Sequence, residues 1–201
     1  MSAPLACHHA LELLDPPATT PITLAEVKDQ LRVEADDDDA ILTRLIDVAV
    51  AYTDVKGALG QAMITQKWGQ WVNSTPPQTV SLILGPTTGV TAVKYYDTDG
   101  NLQTDTLSNY QVAGTEFATI IGPKTGFNWP VTQQRSDAIR IEYEIGYGEA
   151  TTDVPQTIRH ALMLLVGHWY DNRENTQMDE LSNIPFGFEH LLNIHRNCWY
   201  G

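Results

Sequence analysis

The densest chemistry in the sequence is the run Asp36-Asp37-Asp38-Asp39, with Glu34 just before it. Clustered carboxylates suit Ca²⁺ or Mg²⁺, but the glycine and the spaced ligands of a calcium loop are missing. The run stands directly before an apolar periodic segment, where acids meet the positive end of a helix dipole and one of them serves as the N-cap. Asp97, Asp99, Asn101, Gln103 and Asp105 imitate the alternation of a second calcium loop. Their glycine is Gly100, too early for that loop, and their flanks are β-prone, so a hairpin turn accounts for them. Glu142 and Glu144 share one face of a strand and could be posed as an acid/base pair. With Arg140 beside them they read as a solvated face. The histidines His8, His9, His160, His168, His190 and His195 include no i, i+4 metal pair. Gly122-Pro-Lys-Thr-Gly126 lacks the order of a phosphate-binding loop, and neither a nucleophile elbow nor a dinucleotide fingerprint occurs. No catalytic constellation emerges, and no metal or cofactor is implied.

Composition narrows the classes further. The 201 residues are 42% hydrophobic, enough to bury a substantial core, and carry 25 acids against 12 bases for a net charge of −13. Phosphate and anionic-lipid binding both rely on Lys and Arg, and no basic stripe is present. The acidity is uneven, with 11 acids and 4 bases in residues 1–62. Cys7 and Cys198 form neither a disulfide framework nor a metal spacing, which favours a reducing compartment. No apolar run is long enough to cross a bilayer, and the first residues do not read as a secretion signal. Assembly in the cytoplasm is expected.

The elements that would hold these residues fall into three blocks. Residues 1–21 read as a flexible lead, with three prolines in 15–21, and order is expected from Thr23. Thr23-Leu-Ala-Glu26 has the capping-box form and opens a helix over 23–32 with Leu24, Val27 and Leu31 on one face. A second helix follows the acidic run, with Ile41, Leu45, Val48, Ala49 and Tyr52 as its stripe, widened by Leu42 and Ile46, and a stop near Gly57. From residue 63 to 150 the period changes to short β-prone runs, the clearest being Ala138–Ile145. Asp153 is placed to cap a third helix with Pro155 in its first turn, apolar nearly all round, and a short fourth helix is expected over 186–195. The outer helices cannot bury their stripes alone, so 22–62 and 151–196 should pack together. The expected class is α+β, a helical bundle carrying an inserted antiparallel β subdomain, with 197–201 as a tail.

Large aromatic residues in loops and at chain ends are the remaining surface clue. Trp129, Phe186, Phe188, Trp199 and Tyr200 are the candidate partner contacts, although Trp129 could equally cap the β core and Phe188 is spaced for burial with Leu191 and Leu192.

Segments spread along the chain, taken together, resemble the phage head–tail connector (adaptor) proteins, especially those with a β insertion that also occur in gene transfer agents. The carriers are Ile22–Val33, Ile41–Tyr52, Ile64–Trp68, Val93–Gly100, Gly146–Gly148, Val154–Arg159, Leu165–Glu174 and Ile184–Leu192. The resemblance implies a non-enzymatic virion protein at the neck. It implies a dodecameric ring beneath the portal protein that extends the channel for double-stranded DNA, without sequence-specific binding, toward a tail or stopper protein. Residues 1–21 and 197–201 match no family pattern. A conduit for a polyanion gains from acidic walls, because repulsion prevents sticking. Glu34, Asp36, Asp37, Asp38 and Asp39 are the candidate channel-lining residues. A tail-completion or stopper component is the alternative, followed by a carboxylate-based hydrolase.

Overall fold

The computed structural model describes residues 11–115, 117–172 and 186–196, with the side chain of Phe186 outside that set. The class is α+β, and the described residues divide into two compact units, one formed by those of 17–65 and 146–196 and the other by those of 11–16 and 66–145.

The first unit is helical. Helix α1 (Leu24–Leu31) opens with the expected capping box: Glu26 N–H donates to Thr23 Oγ1, and Thr23 N–H donates to Glu26 Oε2 at 2.9 Å. Helix α2 (Asp39–Thr53) buries Leu42, Ile46, Ala49 and Thr53, a row at i, i+4, i+7, i+11. The row Ile41, Leu45, Val48, Tyr52 lies next to it and is only partly covered. Beyond α2 the chain doubles back as Ala58 N–H donates to Tyr52 O. A Cβ on Gly57 would stand 2.0 Å from that same carbonyl oxygen, so only glycine fits there. Asp153 does not cap helix α3 (Gln156–Asp171). Its carboxylate accepts from Ala150 N–H and closes a 3₁₀ turn over Thr151–Asp153, while Pro155 takes the N-cap position. Helix α4 (Phe186–Asn193) completes the unit, whose core joins Ile22, Val27, Leu42, Ile46, Ile158, Leu162, Leu165, Phe188 and Leu192. Arg159 ties α3 to the entry of α1 by donating to Pro21 O and pairing with Glu26.

The second unit is β. Strands β1 (Leu11–Asp15), β2 (Gln66–Val72), β4 (Thr87–Tyr96), β5 (Leu102–Asp105) and β8 (Ile139–Ile145) form a sheet of order β1-β2-β8-β4-β5. Strands β3 (Val80–Ser81), β6 (Tyr110–Thr115) and β7 (Ala118–Pro123) form a second sheet of order β3-β7-β6, and every pairing in both is antiparallel. Buried Gln70 joins the sheets: its amide nitrogen donates to Ser81 O, and its carbonyl accepts from Ile83 N–H and Tyr143 OH. Strand β1 lies inside the stretch expected to be a flexible lead. Glu12 makes it possible, since its carboxylate accepts from Trp71 Nε1 and Arg140 and so anchors an edge strand that is otherwise half exposed.

Candidate functional site

The acidic run sits at the start of α2, as its sequence position requires, and three of its carboxylates, Asp36, Asp38 and Asp39, are engaged by the chain itself. Lys28 of α1 places its Nζ 2.8 Å from Asp36 Oδ1 and 2.7 Å from Asp39 Oδ1, so an ammonium occupies the centre of the cluster. Those two hydrogen bonds hold Lys28 protonated above its ordinary range, and the one to Asp36 pulls that carboxyl down. Asp38 stands at the N-cap position without capping through its side chain. Its carboxylate accepts instead from the Tyr170 hydroxyl of α3. Glu34 and Asp37 are exposed and enter no ion pair among the described residues. Of the five candidate channel acids, these two present their charge most openly to solvent.

The calcium-like alternation at 97–105 is a hairpin turn. Asp97 accepts from Asp99 N–H, Asn101 N–H and the Gln103 amide, which fills its carboxylate oxygens and lowers its pKa through those bonds, the Gln103 contribution being the largest. Among the described residues no group of three or more His, Cys, Asp or Glu is gathered to hold a metal ion.

Glu142 departs from the expectation of a wet strand face. It is 2% exposed, with Lys67 at 3.2 Å, Lys94 at 2.8 Å and Arg140 at 2.8 Å. Register explains this: β8 lies between β2 and β4, so Lys67, Arg140 and Lys94 come from three adjacent strands around one carboxylate. Burial alone would raise the Glu142 pKa, but the hydrogen bonds from Lys94 and Lys67 and the charge of Arg140 outweigh it and keep the pKa low. A carboxylate held ionised in this way is unsuited to act as a general acid. The same face carries a stack across strands. The Arg140 guanidinium lies 5.1 Å from the Trp71 ring, Trp71 stacks on Tyr96 at 6.0 Å, and Arg135 covers Tyr96 at 3.8 Å. Sequence reading missed this site because its members are paired only through strand register.

The aromatic candidates separate by environment. Phe188 is 1% exposed and meets the Tyr52 ring at 6.1 Å, and Tyr52 in turn meets Trp169 edge-on at 6.2 Å, so Phe188 is a core residue rather than an outward contact. Trp129 is half-buried, donates from Nε1 to Pro77 O at 2.9 Å and tilts against Tyr110 at 5.2 Å, which is the β-core capping role. The side chain of Phe186, and all of Trp199 and Tyr200, lie outside the described residues.

Neither unit gathers a reactive constellation among the described residues. What they offer is an apolar core, an acidic helix entry and exposed apolar side chains. Comparison with known proteins gives the same direction. No curated protein sequence matches. Among the solved chains that share the fold are one in the neck of an empty GTA particle computed with C6 symmetry (TM-score 0.73, 20% identity, 94% of this chain and 95% of that one); one in the virion of a native gene transfer agent particle (TM-score 0.73, 21% identity, 93% and 95%); and one in the neck of a native GTA particle computed with C12 symmetry (TM-score 0.68, 17% identity, 94% and 95%). The sequence model of the head completion proteins matches residues 20–197, spanning all four helices and all of the β unit except β1. The resemblance carried by the dispersed segments therefore has its family, and the chain belongs to the head completion protein family.

Proposed function

We propose that the chain is a structural head–tail connector of a tailed phage or gene transfer agent particle. It forms a ring of identical copies, twelve in number, under the portal, extends the DNA channel and offers the attachment site for a tail or stopper protein. The observation that carries this reading is the match of the head completion family over residues 20–197, with near-complete overlap in fold with chains of particle necks. The solved necks were computed with C6 and C12 symmetry, which supports a cyclic arrangement here. The role is non-enzymatic and needs no cofactor, and the protein resides at the neck of the virion after assembly in the host cytoplasm. Glu34 and Asp37 are the acids assigned to the channel wall, where they keep a passing polyanion from sticking.

The test is a particle preparation from cells lacking the chain. Filled heads without tails are expected, with tails restored by the chain supplied from a plasmid. Normal tailed particles without it would contradict the role. Capture by purified portal separates this reading from a stopper, which would be captured by tail protein instead.

A further inference from the structure

We propose that neighbouring copies are joined by seating the loop of residues 124–138 of one copy on the outer row of α2 of the next. The inference rests on the ring reading above and names the contact that would close the ring.

The loop connects β7 to β8 and is long for a connection without secondary structure, a class that usually serves binding. It is also held firmly. Lys124 N–H donates to Asn109 O, Phe127 N–H to Lys124 O, Gln133 N–H to Tyr96 O, and Ser74 N–H to Arg135 O. Trp129 is fixed on Pro77 and Tyr110, and Arg135 is clamped between the Tyr96 ring and the Asp137 carboxylate. Between these anchors the loop displays Phe127 at 49% and Val131 at 79% exposure. A pinned loop with apolar tips has already lost the conformational entropy that docking would otherwise cost.

The complementary patch is on α2. Its inner row is buried, whereas the outer row leaves Val48 54% and Tyr52 41% exposed. Charge matches the two patches. The loop of residues 124–138 contains two bases, Lys124 and Arg135, against one acid, Asp137, while residues 34–54 contain seven acids and one base, Arg44. Arg135 is neutralised by Asp137, so exposed Lys124 supplies the loop's positive edge, opposite exposed Asp47 beside Val48. A cyclic ring needs two different, mutually complementary patches on every subunit. One chain carries both, so the occupant of each is a second copy.

The test uses assembled particles in which Cys7 and Cys198 are replaced by serine and Val48→Cys and Val131→Cys are introduced together. Oxidation is expected to give a disulfide-linked ladder beyond dimers on a non-reducing gel, and neither single variant should give one. Electron microscopy of the same particles reads the ring independently. Intact rings without a ladder overturn the proposed contact and leave the ring reading standing, whereas particles without a ring overturn the ring reading itself. Should the paired cysteines fail to enter particles, Phe127→Ser with Val131→Ser decides the matter. Both side chains are exposed, so the fold should persist while incorporation falls about tenfold. Incorporation at the parental level overturns the contact. In addition, Lys124→Glu should lower incorporation, and Asp47→Lys in the same chain should restore it.

Discussion

Glu142 holds its charge almost out of water, and the three cations around it are what make that tolerable. A buried ion pair adds little net stability, but removing one partner strands the others. Glu142→Gln is therefore expected to destabilise the chain by about 3 kcal/mol, measured by urea unfolding at neutral pH. The pH dependence follows from the same contacts. The folded-state pKa of Glu142 is depressed, so its stabilisation is present above the ordinary carboxylate pKa of about 4.3 and is lost as pH falls toward the folded value. Glu26, held low by Thr23 and Arg159 against its own desolvation, adds in the same direction. Unfolding curves from pH 7 to pH 3 should show the parent losing stability below about pH 4.5, with a shallower loss in Glu142→Gln. Equal slopes would contradict this account. Phe188 makes a second test, because Phe188→Ala should cost about 3–5 kcal/mol if the ring is core. A variant with unchanged melting but weakened assembly would return Phe188 to the partner surface. At this scale the sequence was legible where partners are local. Thr23 and Glu26, or Asp97 and Asn101, lie within one turn of each other, whereas Lys67, Lys94 and Glu142 meet only through the register of three strands.

At the level of elements, residue types announced most of the structure. The capping box, the acidic helix entry, the change of period after residue 63 and the alternation of Ile139, Ile141, Tyr143 and Ile145 are each visible without coordinates. Two features were not. Helix α2 has an apolar arc broader than one row, and periodicity cannot say which row turns inward. The structure buries Leu42, Ile46, Ala49 and Thr53 and leaves Val48 and Tyr52 partly exposed. Strand β1 was hidden because a short segment beside prolines carries no pattern of its own. It exists by pairing with β2 and by the reach of Glu12 to Trp71 and Arg140. Removing the chain up to Asp15 should therefore unpair the edge of β2 and promote association of the β unit. Light scattering on heating should show aggregation beginning several degrees below the parent. An unchanged onset would mean that β1 contributes nothing to the sheet.

For the whole molecule, the acidic balance fits the conduit proposed above, and the described residues of the acidic run differ in how freely they could serve it. Lys28 bridges Asp36 and Asp39, and Asp38 is engaged by Tyr170, so replacing those acids would disturb folding together with function. Glu34→Lys with Asp37→Lys avoids that confusion, since both side chains are exposed. Particles carrying this pair should assemble and melt as the parent does but deliver DNA several-fold less efficiently. Delivery at parental levels would remove the acidic run from the channel wall. The most direct measurement of the central claim is a cryo-electron microscopy map of the purified particle's neck, computed without imposed symmetry, into which the two units are fitted. The account predicts twelve copies in a closed ring between portal and tail, with Glu34 and Asp37 facing the bore. Density for this chain elsewhere in the particle, or as isolated copies around no common axis, would contradict it.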